Sequence, residues 1–202
     1  MTDPRTVGVL VLAGGEARRL GGVDKPLVRL DDRTILSHLL GRLPPDISRR
    51  ALSANGDAGR FRAFGLPVLA DRVPGLGPLA GLREGLEWAA GQELRWLLTV
   101  PGDTPFIPRD LWQRLDPGPS VACSAGRRHH LVALWPVAAQ AALARHLAAL
   151  SGLGRSAWGI QPFARSLGAR EVWFSCEPED PFLNVNTPED LDRARRSAAA
   201  LR

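Results

Sequence analysis

The sequence has almost no lysine. Of the 26 basic residues in this chain of 202, Lys25 is the only lysine and the other 25 are arginine. A guanidinium is a planar fork with five donors, whereas an ammonium is a compact point charge. A solitary lysine in an arginine-rich chain indicates a crowded position that needs the smaller cation. Lys25 is therefore the first candidate functional residue.

Cysteine and long apolar runs are also scarce. Cys123 and Cys176 stand far apart and outside CxxC spacing, which argues against a zinc site or a disulfide framework and favours two reduced, buried cysteines. No run approaches the roughly 18 apolar residues that span a bilayer. The opening MTDPRT lacks the basic start and apolar core of a secretion signal. We expect a cytoplasmic protein that does not contact membranes.

The net charge of +5 comes from arginines that are scattered along the chain. The sequence has no basic block of five or six residues, no aromatic RNA-binding signature and no helix-turn-helix spacing. These features argue against nucleic acid as a partner. Small anionic ligands fit the charge better, and we expect the chain to be a monomer.

The apolar segments predict a regular alternation of strands and helices. TVGVLVLA, residues 6–13, is an apolar run rich in valine and typical of a strand covered on both faces. Further strands are predicted at RALSAN, PVLA, RWLLTV, PSVACSA, HLVALW and EVWF, with helices at 34–43, 78–90, 137–150 and 156–167 and from Pro108 and Pro188. This order produces right-handed βαβ units. The predicted fold class is α/β, a three-layer α/β/α sandwich with a Rossmann-like, mostly parallel sheet.

Ligands of such sheets bind beyond the carboxyl ends of the strands. The loops in that position are LAGGEARRLGGVDK, SANGD, ADRVPGLGPLAG and PGDTPF. Their glycines, basic side chains and isolated carboxylates suit a nucleoside triphosphate with a divalent metal. The first loop matches neither common phosphate motif, because Pro26 follows Lys25 and because Gly14 and Gly15 are adjacent. A surface loop with no ligand is the alternative.

Asp103 stands just past the strand RWLLTV. A single carboxylate there suits a magnesium ion that keeps several waters and shares its other positions with phosphate oxygens. Pro-Gly-Asp is also common turn chemistry, so the residues alone leave both interpretations open. Arg18, Arg19 and Lys25 are suited to neutralising the charge of a triphosphate.

The order of LAGGEARRLGGVDKPL, GPLAGL, PGDTPF and NVNTPEDL resembles the molybdenum cofactor guanylyltransferases, which join GMP to molybdopterin. The resemblance spans nearly the whole chain. The first element belongs to a broader nucleotidyltransferase superfamily, and RRLGGVDK favours the guanylyl branch. The resemblance implies a GT-A-like nucleotidyltransferase architecture in one domain, 1–202. Its nucleotide-binding half would cover about 1–110 and its acceptor-binding half about 111–202.

The resemblance also implies roles for particular residues. GTP would be held by Leu12, Ala13, Gly14, Gly15, Lys25, Asn55, Asp71 and Asp103, and Asp103 would bind Mg²⁺. Lys25, Arg19 and Asp103 would carry catalysis, and residues 77–81 would line the cleft between nucleotide and acceptor. Asn184 and Asn186 would lie on the molybdopterin side, although Asn-x-Asn before a helix is also ordinary capping chemistry.

The histidines give no clear signal. The family often has His-Pro ahead of its ALW-like strand, whereas this chain has His129 and His130, so their role toward the acceptor stays open. We expect His38 and His146 at surface or half-buried helix positions without a catalytic part.

The implied reaction is an in-line transfer without a covalent enzyme intermediate. The terminal phosphate of molybdopterin attacks the α-phosphorus of GTP, and pyrophosphate leaves. The rival activities are a nucleotidyltransferase that uses CTP with the same pterin or a nucleoside triphosphate with a sugar phosphate. A rival of another class is a nucleotide-binding adaptor that delivers cofactor without catalysis. Expected partners are GTP, molybdopterin, cofactor-insertion chaperones and molybdoenzymes.

Overall fold

The computed structural model describes residues 2–14, 16–17, 23–73, 75–150 and 159–200. Its strands are β1 (Val7–Leu12), β2 (Glu16–Ala17), β3 (Val23–Asp24), β4 (Arg50–Ser53), β5 (Val68–Leu69), β6 (Trp96–Pro101), β7 (Ser120–Ser124), β8 (Arg127–Pro136) and β9 (Arg170–Trp173). Its α-helices are α1 (Ile35–Leu40), α2 (Pro78–Gly91), α3 (Leu111–Leu115), α4 (Gln140–Ala149), α5 (Ile160–Ser166) and α6 (Pro188–Ala200). Short 3-10 turns include Lys25–Leu27 and Ala58–Phe64.

In the described part of the chain, seven strands form one sheet in the order β5-β4-β1-β6-β8-β7-β9. β1 lies parallel to both β4 and β6, and the pairs β4–β5 and β7–β9 are also parallel. Only β8 runs antiparallel to its neighbours in this sheet, and β2 and β3 form a separate small hairpin. The prediction of a mostly parallel sheet is confirmed.

Alternation along β1 places side chains in two different cores. Val7, Val9 and Val11 belong to the core beneath α1 and α3. Leu10 belongs to the core beneath α2, α4 and α5. Because successive residues of a strand point to opposite faces, the sheet is covered by helices on both sides, which confirms the three-layer sandwich.

Most predicted elements appear near their expected positions. The helix predicted to start at Pro108 instead begins at Leu111, because residues 108–110 form a turn in which the Leu111 amide donates to the Pro108 carbonyl. Of the helix expected at 156–167, residues 156–158 lie outside the described ranges. Cys123 is buried as predicted, but Cys176 is only half-buried.

No helix in these ranges is both long enough and apolar enough to cross a membrane.

Helix α2 packs against the sheet through glycines that leave no room for a Cβ atom. A Cβ atom on Gly85 would lie 2.4 Å from Leu10 Cδ2 and 3.0 Å from Leu97 Cδ2. A Cβ on Gly81 would lie 2.6 Å from Ser53 Oγ. The small residues bring the amino-terminal end of α2 down over the ends of β1 and β4.

We expect Gly85→Ala to lower the free energy of unfolding by about 1–3 kcal/mol, because both leucines near the new methyl group are fully buried. Gly91→Ala at the end of the same helix is the control, since a Cβ there meets nothing within 4 Å. It should be neutral, or stabilising by up to about 1 kcal/mol. Denaturant unfolding measures both. Equal stability of the two variants would show that the close approach does not limit packing.

Candidate active site

A cavity of about 740 Å³ opens at the carboxyl ends of β1, β4, β5 and β6. This is the edge at which the strand order predicts a ligand. Its wall is formed by Leu12, Ala13, Gly14, Asp24, Lys25, Pro26, Ser53, Ala54, Asn55, Arg60, Asp71, Gly75, Gly77, Pro78, Gly81, Pro101, Asp103 and Leu131. Most of the residues predicted from the sequence as nucleotide contacts therefore line one cavity.

Backbone hydrogen bonds hold the strand ends together. The Ala13 amide donates to the Ser53 carbonyl at 2.8 Å, and the Gly102 amide donates to the Leu12 carbonyl at 2.9 Å. A Cβ on Gly102 would lie 3.2 Å from that same carbonyl oxygen. The glycine permits the close approach that brings the next residue, Asp103, to the cavity.

Lys25 is placed between two oxygen-bearing side chains. Its Nζ donates a hydrogen bond to Asn186 Oδ1 and lies 3.7 Å from Asp103 Oδ2. About one fifth of the side chain remains exposed. Pro26, the next residue, is buried, which anchors the backbone of the lysine. The solitary lysine therefore occupies the confined position that the composition predicts.

Asp103 is mostly removed from water. Burial raises the pKa of its carboxyl group, and the nearby Lys25 charge opposes that rise only in part. A desolvated carboxylate with one cation at 3.7 Å is under-compensated, since burial of charge costs free energy unless the charge is paired. Its environment therefore favours a further cation.

The segment before α6 crosses the end of β6. The Val185 amide donates to the Asp103 carbonyl at 3.0 Å, and Thr104 Oγ1 donates to Asn184 Oδ1 at 2.9 Å. Together with the bond from Lys25 to Asn186, these contacts place both asparagines beside the site.

The two asparagines do not cap α6. Thr187 Oγ1 accepts from the Asp190 amide at 3.2 Å, and Asp190 Oδ2 accepts from the Asn186 and Thr187 amides, both at 3.0 Å. This reciprocal pair is a capping box with aspartate in the position of glutamate. Since the side chains of Thr187 and Asp190 supply the cap, those of Asn184 and Asn186 are used elsewhere, and the capping interpretation of the sequence is wrong for them.

The other end of the cavity is built by Asn55 and Asp71. Asn55 Nδ2 donates to Asp71 Oδ2 at 2.7 Å, and the Asp71 amide donates to Asn55 Oδ1 at 2.8 Å. The reciprocal bonds join the loop after β4 to the loop after β5. They leave Asp71 Oδ1 without a hydrogen bond to any other described residue.

The remaining candidates from the sequence are not among the described residues that line the cavity. Gly15 and Arg19 fall outside the described ranges. His129 Nε2 lies 2.7 Å from the buried Ser124 Oγ and its ring packs 4.8 Å from Phe182, and neither it nor His130 lines the cavity. The partly buried His38 and His146 lie on α1 and α4, as expected.

Asp24 and Arg60 also lie on the cavity wall, and neither was predicted from the sequence. Asp24 is part of the GGVDK motif, but its position next to Lys25 did not by itself predict a role in the cavity. Arg60 had no signal at all among the scattered arginines, because only folding brings the segment after β4 against the first loop.

The described wall is not positively charged. It has the carboxylates of Asp24, Asp71 and Asp103 against the cations of Lys25 and Arg60. No group of three or more histidine, cysteine, aspartate or glutamate side chains able to hold a metal occurs in the part of the chain that the structure covers. A polyanionic ligand therefore needs further positive charge from a bound cation or from outside these residues.

The comparisons with known proteins agree with this geometry. The MobA-like NTP transferase domain matches residues 9–172. A nucleotidyl transferase structure from Methanothermobacter superposes with a TM-score of 0.69 at 18% identity, over 97% of this chain and 99% of that one. The fold and the matched domain define a nucleotidyltransferase.

Two similar proteins show to which family of nucleotidyltransferases the chain belongs. A molybdenum cofactor guanylyltransferase of Acidiphilium cryptum is 50% identical over 96% of this chain and 97% of its own length. One from Mesorhizobium japonicum is 47% identical over 95% and 96%. The chain belongs to the molybdenum cofactor guanylyltransferase family.

Asp103→Asn should make the ligand-free protein more stable at neutral pH. Because burial raises the pKa of Asp103, the protonated carboxyl suits the folded state better, and its stabilisation is lost as pH rises through that raised value. The neutral amide avoids this loss. Melting temperatures at about pH 7.5 and about pH 4 should show an advantage of the variant that shrinks on acidification. A less stable variant at neutral pH would mean that pairing with Lys25 outweighs burial.

Proposed function

We propose that this chain transfers GMP from GTP to the terminal phosphate of molybdopterin and releases pyrophosphate. The observation that carries the proposal is the position of Lys25. It lies between Asp103, at the end of a strand that lines the nucleotide cavity, and Asn186, from the segment assigned to the acceptor. A single cation is thus shared by the two sides of the proposed reaction.

The end of the cavity formed by Asn55 and Asp71 suits guanine. Guanine presents two adjacent donors, the ring N1–H and the 2-amino group, and a carboxylate offers two acceptor oxygens. The side-chain amide of Asn55 holds the Asp71 carboxylate in place through a hydrogen bond of 2.7 Å from Nδ2 to Oδ2. Cytosine offers a single amino donor on the corresponding edge. Leu12, Ala13, Gly14 and Gly15 would contact the same nucleotide through backbone groups.

The residues present fit a divalent metal. Asp103 supplies a hard oxygen ligand in a desolvated, under-compensated position, and waters with phosphate oxygens would complete the shell, as Mg²⁺ prefers. When bound, Mg²⁺ supplies positive charge against the phosphate oxygens and the departing pyrophosphate.

Lys25 would hold the phosphates of GTP and offset the negative charge that develops on the leaving group. Asn186 orients its ammonium by accepting one of its three donors. Arg19 is proposed as a second cation of this kind. The amino-terminal end of α2, which has no side-chain cap and lines the cavity at Gly77 and Pro78, adds partial positive charge.

No enzyme nucleophile is required, because a phosphate monoester is itself nucleophilic near neutral pH. The work of the chain is to bring two polyanions together in line. Asn184 and Asn186 would face molybdopterin from the other side of Asp103. The division into nucleotide-binding residues 1–110 and acceptor-binding residues 111–202 follows the same arrangement.

Some predictions concern the surroundings of the enzyme. We propose that it works as a cytoplasmic monomer and passes its product to cofactor-insertion chaperones and molybdoenzymes. Size-exclusion chromatography with light scattering tests the monomer directly.

The activity is tested by measuring pyrophosphate release with molybdopterin, Mg²⁺ and each of GTP, CTP, ATP and UTP. We expect release with GTP and little with the others, and none without molybdopterin. Asp103→Asn, whose folded state is checked by its melting curve, is the inactive control. Turnover of CTP or of a sugar phosphate would support the rival transferases, and tight GTP binding without release would support the adaptor.

Lys25→Arg should lower kcat/KM for GTP by about 10- to 100-fold although it keeps the charge, because a guanidinium cannot occupy the site between Asn186 and Asp103 without displacement. Arg5→Lys, at an exposed pair before β1, is the control for exchanging one cation for another. Steady-state kinetics of both variants measures kcat/KM for GTP. A normal Lys25→Arg enzyme would show that the scarcity of lysine has no functional meaning.

A further inference from the structure

Asp24 is a carboxylate on the wall of the cavity, immediately before Lys25 in the chain. Its side chain is 30% exposed. A triphosphate carries several negative charges, so an unpaired carboxylate at this point would repel it. The proposed chemistry gives Asp24 no task that would offset this cost.

Arg60 lies against Asp24 and lines the same cavity. Its Nε is 2.8 Å from Asp24 Oδ2, and the side chain is 22% exposed. The Nε–H bond is not aimed at the carboxylate, so the contact is an ion pair rather than an aligned hydrogen bond. The attraction therefore depends mainly on charge.

Other contacts keep the guanidinium in this position. Nη1 donates to the Asp57 carbonyl at 2.5 Å, and Nη2 donates to the Asn55 carbonyl at 2.7 Å. The guanidinium carbon also lies 4.7 Å from the centre of the Phe61 ring. The loop after β4 thus presents a fixed cation to the first loop.

We propose that Arg60 neutralises Asp24 and thereby sets the affinity of the cavity for a nucleoside triphosphate. Without Arg60, the described wall would have three carboxylates against the single cation of Lys25. The inference rests on the proposed function only in that the cavity binds GTP. Arg60 is a positioning and charge-balancing residue that acts through Asp24.

The test is a double-mutant cycle on the dissociation constant of GTP, measured by calorimetry with Mg²⁺ present. We expect Arg60→Gln to weaken binding about ten-fold, because it leaves Asp24 unpaired. Asp24→Asn should bind as tightly as the wild type or more tightly. The double variant should return to within about three-fold of the wild type, since the repelling carboxylate is gone.

Two further variants separate charge from structure. Arg62→Gln makes the same change on the same 3-10 turn at an exposed position outside the cavity, and its affinity should be unchanged. Arg60→Lys keeps the charge but loses the fork that bridges two carbonyls. It should bind closer to the wild type than to Arg60→Gln. Melting curves of every variant check that it folds. If Arg60→Gln does not fold, the affinities of Arg60→Lys and Asp24→Asn still test the proposal.

The results that would contradict the proposal differ from those that would contradict the proposed function. A double variant as weak as Arg60→Gln, or Arg60→Lys as weak as Arg60→Gln, would mean that Arg60 contacts the nucleotide or braces the loop, and the proposal is wrong. Loss of GTP affinity in Asp24→Asn would mean that the carboxylate itself binds, which also overturns it. A wild-type chain that does not bind GTP would instead refute the proposed function.

Discussion

The site depends on an electrostatic constraint: a cavity proposed for a polyanion has more carboxylates than cations on its described wall. Repulsion between unpaired charges of one sign is large where water is partly excluded. The structure gives each carboxylate a different environment. Asp24 is paired with Arg60, Asp71 is fixed by Asn55 at the far end, and Asp103 lies 3.7 Å from Lys25 with its charge only partly compensated. Asp71 has no cation among its described contacts and Lys25 offsets the charge of Asp103 only in part, so both residues keep negative charge on the wall.

The fold makes this distribution possible. Parallel strands present their carboxyl ends at one edge, and backbone hydrogen bonds join those ends. Glycines in α2 and at position 102 allow backbone to approach backbone and side chains closely. The charged groups therefore project from a rigid frame, as electrostatic preorganisation requires.

Much of this arrangement was predictable from local sequence patterns. The apolar run at 6–13, the strand before Asp103 and the helix start at Pro188 are decided by neighbouring residues, and each appears as expected. The contact of Lys25 with Asn186 and that of Arg60 with Asp24 could not be derived in this way, because they depend on how distant loops meet after folding. The antiparallel direction of β8 could not be derived from local patterns either, because it depends on how the second half of the chain folds. The resemblance supplied the asparagines, and the structure shows that Thr187 and Asp190, rather than the asparagines, supply the cap of α6.

The bond between Lys25 and Asn186 joins residues separated by 161 positions. During synthesis, the lysine leaves the ribosome long before its partner has been translated. The early strands have their parallel partners available well before that moment, but the wall beside β6 is missing until the last segment emerges. The contact between Lys25 and Asn186 can therefore form only after every strand of the described sheet has been translated.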